Sequence, residues 1–161
     1  MLRHFLAALA YRTQKALRGA PESFADFNAG SDTRTPHELI VHMRSVLGYA
    51  RTFFIGGEYP RPLPVDWKQD IEAFHEMLDD LGKYLDSDTP LENITEERML
   101  QGPFSDAMTH AGQIAMLRRL HGSPIPPENF IMADVRPDNL GSDQPEPVAP
   151  DKDWTNPERK I

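Results

Sequence analysis

The sequence predicts an all-α fold, a four-helix bundle with an irregular, proline-rich C-terminal extension. Three observations lead there. Apolar residues recur at helical spacing in four long segments, no segment alternates as a strand would, and eight of the 15 prolines fall between Pro124 and Pro157. Residues 1–125 form the predicted bundle, and residues 126–161 an extension packed partly on it.

In the first segment, Leu2, Phe5, Leu6, Leu9, Thr13 and Leu17 share one face, and Gly19, Ala20 and Pro21 stop the helix. Arg3, Arg12, Lys15 and Arg18, with no acid among the first 19 residues, also fit a transit peptide. The short apolar run Phe5–Ala10 likewise fits a signal peptide, but the periodicity favours a helix of the fold.

Residues 20–34 read as a loop. Thr35 as N-cap, Pro36 at the first helical position and Glu38 completing a capping box open the second helix. It should run to about Ile55, where Gly56 and Gly57 end it. Pro60, Pro62 and Pro64 make a stiff, extended connector. Asp66 caps the third helix, whose stripe is Trp67, Ile71, Phe74, Leu78, Leu81 and Leu85. A short helix is expected over 92–100, interrupted at Gly102–Pro103. A fourth long helix runs from about Phe104 to Leu120, closed by His121, Gly122, Ser123 and Pro124. Phe130, Ile131, Met132 and Val135 are expected to pack on the bundle. After Gly141 a wrapped or partly disordered tail follows.

Composition narrows the function. With 39% apolar and 26% charged residues among 161, the chain can build one core. A net charge of −8 argues against nucleic-acid and anionic-membrane binding. No apolar run reaches the ~20 residues of a membrane helix. The chain is read as a cytoplasmic domain. Cys is absent, which removes disulfides, thiolate ligands and a Cys nucleophile. Any transition metal must use His, Asp or Glu. There is no phosphate-binding glycine loop and no G-x-S-x-G elbow.

Asp106 and His110 are the strongest pair. Four residues apart, they lie about 40° apart on one helix face, with Gln113 and Leu117 in the same stripe. A third ligand must come from a facing helix. His42 shares its stripe with Leu39, Val46, Tyr49 and Phe53, which reads as inward-facing. His37 falls on the opposite, wet face, and five residues from His42 it is turned away by about 140°. Two His and one carboxylate are a three-ligand set with open positions, able to activate water or a thiol. The same residues also have ordinary explanations. Asp106 suits the macrodipole near a helix start, Asp106 and His110 make a common side-chain pair, and a His on an apolar stripe is often a core residue. Glu38 could serve behind His42 as an acceptor or base, but its capping role accounts for it. Tyr49 could reach a substrate or simply pack. His4, His75 and His121 read as surface or helix-end residues.

Two segments carry a resemblance, TPHELIVHMRSVLGYA (35–50) and LQGPFSDAMTHAGQIAMLRRLHGSPI (100–125). With His42, Asp106, His110, Gly112 and Gln113 in the matching positions, the chain resembles the DinB-like superfamily of metal-dependent bacterial proteins over roughly residues 1–135. The resemblance implies a bundle that binds one metal through three side chains of the second and last helices, and often dimerises. It also implies transferase or isomerase chemistry with low-molecular-weight thiols such as bacillithiol or mycothiol, acting on a small-molecule substrate. Better-known members carry His where this chain has Asp106. That change lowers the charge of the site, favours Zn, Ni, Mn or Fe, and weakens the case for thiol transfer. Two other functions fit the residues: a non-catalytic dimeric scaffold or ligand-binding module with a structural or vestigial site, and an oxygen-using iron enzyme.

Overall fold

The computed structural model describes residues 1–30, 32–87, 89–151 and 153. Its long helices are α1 (Leu2–Leu17), α2 (Pro36–Ile55), α3 (Trp67–Asp86) and α5 (Ser105–Leu120), with a short α4 (Glu96–Met99) before the last. No strand occurs among the described residues beyond one isolated antiparallel bridge between Glu128 and Pro150. α1 packs on α3 and α5, and α2 packs on the same two helices, so α1 and α2 stand at opposite corners of the bundle. Among the described residues no helix is long and apolar enough to cross a membrane.

The helix ends follow the predicted chemistry. Thr35 Oγ1 accepts from the backbone N–H of Glu38 at 3.2 Å, and the Glu38 carboxylate accepts from the N–H of Thr35 at 2.8 Å. This capping box satisfies two otherwise orphaned donors and contributes about 1 kcal/mol. Gly56, at φ 71°, takes a conformation that side chains avoid and stops α2. Asp66 caps α3 through the N–H groups of Lys68 and Gln69. Leu6, Leu9, Ile40, Met43, Leu47, Phe74, Leu78, Leu81, Phe104 and Ile114 are fully enclosed, and they meet in one core.

The predicted interruption at Gly102–Pro103 is not a break. Helical backbone continues from Glu96 through a π turn at Leu100–Phe104 into α5. Pro103 has no N–H to donate and its ring would clash with the preceding turn, so the wider turn accommodates it. Within this turn the carbonyl of Leu100 accepts from both the Ser105 N–H and the Ser105 hydroxyl, the latter at 2.6 Å. Asp106 follows at once, in the register this turn sets.

The extension packs on the bundle only in part through its apolar run: Val135 lies against the core and Phe130 against Tyr11, as predicted, but other contacts come from residues outside that run. Ile131 is 91% exposed and Met132 is also exposed, so neither packs on the bundle. Leu140, Gln144 and Glu128 are buried instead. The Tyr11 hydroxyl donates to Glu128 at 2.8 Å, Lys15 Nζ to the Pro126 carbonyl at 2.6 Å, and Arg18 to the Gln144 carbonyl at 2.6 Å. Burial, and then the bonded carboxylate of Glu128, push the Tyr11 hydroxyl well above its ordinary pKa, so it remains a donor. Phe130 lies under the Arg12 guanidinium, 3.8 Å from its carbon. Lys152 and residues 154–161, the end of the predicted extension, lie outside the described residues.

Two histidines depart from their predicted settings. His75 is buried rather than on the surface, with Nδ1 2.8 Å from the Leu140 carbonyl. A carbonyl can only accept, so Nδ1 carries the proton. Burial lowers the pKa of the ring and holds it neutral. His37 is not on a wet face. Its Nε2 meets Asp70 at 2.8 Å in a network that also joins Arg44 (2.7 Å) and the Val65 N–H (2.8 Å). Asp70 is 1% exposed. Burial alone would raise its pKa, but the hydrogen bonds from Val65 and His37 and the charge of Arg44 outweigh burial and lower it. This clasp ties the connector before α3 to both helices.

Candidate metal centre

His42 on α2 and Asp106 and His110 on α5 converge where these two helices pack. Each offers one ligand atom, and the three atoms lie within 4.8 Å of one another. Among the described residues this is the group of three or more His, Asp or Glu with that property. Asp106 approaches both rings, with Oδ2 3.6 Å from His42 Nε2 and Oδ1 3.6 Å from His110 Nε2. Both separations are too long for a hydrogen bond. They are close to the roughly 3.4 Å between two ligands that each lie ~2.1 Å from a tetrahedral ion. The imidazole rings meet edge to face, 4.7 Å between centroids. Three donors thus converge without bonding one another, as a divalent cation requires.

The environment keeps these donors available. Burial lowers the pKa of His42, the positive charge of Arg34 lowers it further, and Asp106 opposes them. A neutral imidazole at pH 7 leaves a lone pair for an ion. His110 Nδ1 lies 2.7 Å from Gln113 Oε1. With that oxygen accepting, the proton sits on Nδ1 and the lone pair on Nε2, which faces Asp106. His110 is buried, His42 half-buried, and Asp106 is 49% exposed on its side chain. The group therefore has a protein-covered side and an open one.

The open side leads into two grooves. One, of about 720 Å³, runs past Asp106 and is lined by Ser45, Tyr49, Gln101, Ser105 and Thr109. The other, of about 590 Å³, is lined by His110, Gln113 and Arg34 among others.

Of the residues predicted for the site, the structure brings together His42, Asp106, His110 and Gln113. Tyr49 does not face inward. It is 57% exposed and stacks edge to face with Phe53 on the rim of the first groove. Glu38 is engaged by the Thr35 N–H and stays a cap. Ser45 and Thr109 escaped the sequence reading although each follows a candidate ligand by three residues, one helical turn along the same face. Arg34 had no local signal, since it lies in a loop.

Compared with known proteins, the chain matches no family model, no curated protein and no solved structure.

Proposed function

We propose that the protein is a DinB-like metalloenzyme that holds one divalent ion, Zn, Ni, Mn or Fe, on His42, Asp106 and His110. The observation that carries this reading is the convergence of three ligand atoms within 4.8 Å at the α2–α5 interface, uncommitted to one another. An ion held there acts as a Lewis acid that lowers the pKa of a bound water or thiol. The chain's own residues supply the rest. Gln113 fixes the ring of His110, and the part-buried His42 stays neutral and ready to ligate. Ser45, Ser105 and Thr109 offer hydroxyls to a polar small-molecule substrate in the groove beside Asp106. Transfer or hydrolysis with an activated thiol or water is the chemistry these parts serve best.

A purely structural site would enclose its ligands, as closed four-ligand zinc sites do. The half-exposed Asp106 and the two adjoining grooves favour an open coordination position over the scaffold reading. Cobalt(II) substitution tests this. Wild-type protein loaded with cobalt should develop a sulfur-to-cobalt charge-transfer band when a small thiol such as 2-mercaptoethanol is added. Stoichiometric cobalt with a spectrum that thiol and azide both leave unchanged would contradict an open site.

A further inference from the structure

The groove past His110 has a composition that selects a ligand. Leu39, Leu117, Met116 and Leu120 form an apolar wall, with Met116 and Leu120 both exposed although large and hydrophobic. Arg34 lines the same groove, together with the buried His110 and the exposed Gln113. Arg34 is the residue before the Thr35 cap, so the capping box fixes the backbone from which its side chain projects. Among the described residues Arg34 has no ion-pair or hydrogen-bond partner. It is one of 17 cations in a chain with 25 acids, and its charge reaches His42. An unpaired guanidinium at the edge of an apolar groove offers parallel N–H donors that match a carboxylate.

We propose that this groove binds a small amphiphilic carboxylate, with its apolar body along Leu39, Met116, Leu117 and Leu120, its anionic head on Arg34, and its inner end toward His110. Asp32, the one acid on the rim, disfavours a dianionic phosphate in the same place. The proposal rests on the metal-centre reading for its functional meaning, because His110 is what the ligand's inner end would meet. It makes Arg34 a specificity-determining residue for the substrate of that centre.

Methyl NMR titration of the full chain tests it, reading Met116 and Leu117 in zinc-loaded and metal-free protein. The probes are hexanoate, hexanol and hexyl phosphate. Hexanoate should bind about tenfold more tightly than hexanol, the gain of one charge-assisted pair, and more tightly than hexyl phosphate. Arg34→Gln should abolish the preference over hexanol, and Arg34→Lys should restore part of it. Equal affinity for hexanoate and hexanol, or a preference that survives Arg34→Gln, overturns the assignment. A preference for hexyl phosphate overturns the choice of carboxylate. Zinc stoichiometry measured on the same samples separates the two readings. Zinc bound with no acid preference overturns this inference alone. An Arg34-dependent preference in protein that takes up no zinc supports the groove while overturning the metal centre.

Discussion

Gln113 Oε1 lies 2.7 Å from His110 Nδ1, less than one helical turn along α5. The contact turns a freely rotating imidazole into one with a set tautomer and a fixed ring plane, so that Nε2 faces Asp106. Metal-binding histidines are ordinarily oriented in this way by a partner behind the ring.

Replacing Gln113 by Leu should therefore leave the fold intact, since Gln113 is exposed, and weaken zinc binding by about 10–100-fold. Competition against a zinc chelator checks this. Glutamate at the same position keeps an acceptor, so Gln113→Glu should retain most of the affinity.

Asp70 is a buried acceptor shared by three donors. Asp70→Ala leaves Arg44, His37 and the Val65 N–H without their acceptor in a buried setting, and should destabilise the domain by about 3–5 kcal/mol. Urea unfolding measures the change. The pKa of Asp70 is lower in the folded protein than in the unfolded chain. Its contribution is therefore complete above the unfolded value of about 3.9 and is lost as pH falls below it.

His75 and His42 give a second, milder acid sensitivity. Burial lowers the pKa of both, so the unfolded chain takes up their protons first. Stability falls as pH drops below the unfolded value of about 6.5. Thermal unfolding of metal-free protein between pH 7 and pH 5 should show the fall. His75→Gln, which keeps a donor for Leu140 but cannot ionise, should show a smaller one.

Leu140 anchors the extension. Its side chain packs so closely over Gly82 that a Cβ there would collide with it. Leu140→Ala should cost about 2–5 kcal/mol and raise proteolytic cleavage after residue 123, whereas Ile131→Ala, at an exposed position, should change neither.

These residues also mark how far the sequence could be read. The caps at Thr35, Glu38 and Asp66 act within four residues, so their chemistry was legible. The spacing of Asp106 and His110 defined a shared face for the same reason. The burial of His75 is not legible locally, because its partner, Leu140, is 65 residues away and no local pattern announces it. No local pattern singles out Asp70, and only the tertiary approach of His37 and Arg44 makes it a buried anion. Tyr49 and Ile131 show the converse. Apolar or aromatic character marks a residue that could be covered, and both are exposed.

Ligation of one divalent ion by His42, Asp106 and His110, as proposed, has a direct readout. Elemental analysis tests it most directly, on untagged protein purified without chelator and soaked in turn with zinc, nickel, manganese and iron. His42→Ala, Asp106→Ala and His110→Ala, each verified as folded by circular dichroism, are analysed alongside. About one equivalent in the wild type, lost or sharply reduced in each variant, is the predicted result. No stoichiometric metal in the wild type, or full stoichiometry in the His110→Ala variant, would contradict the account.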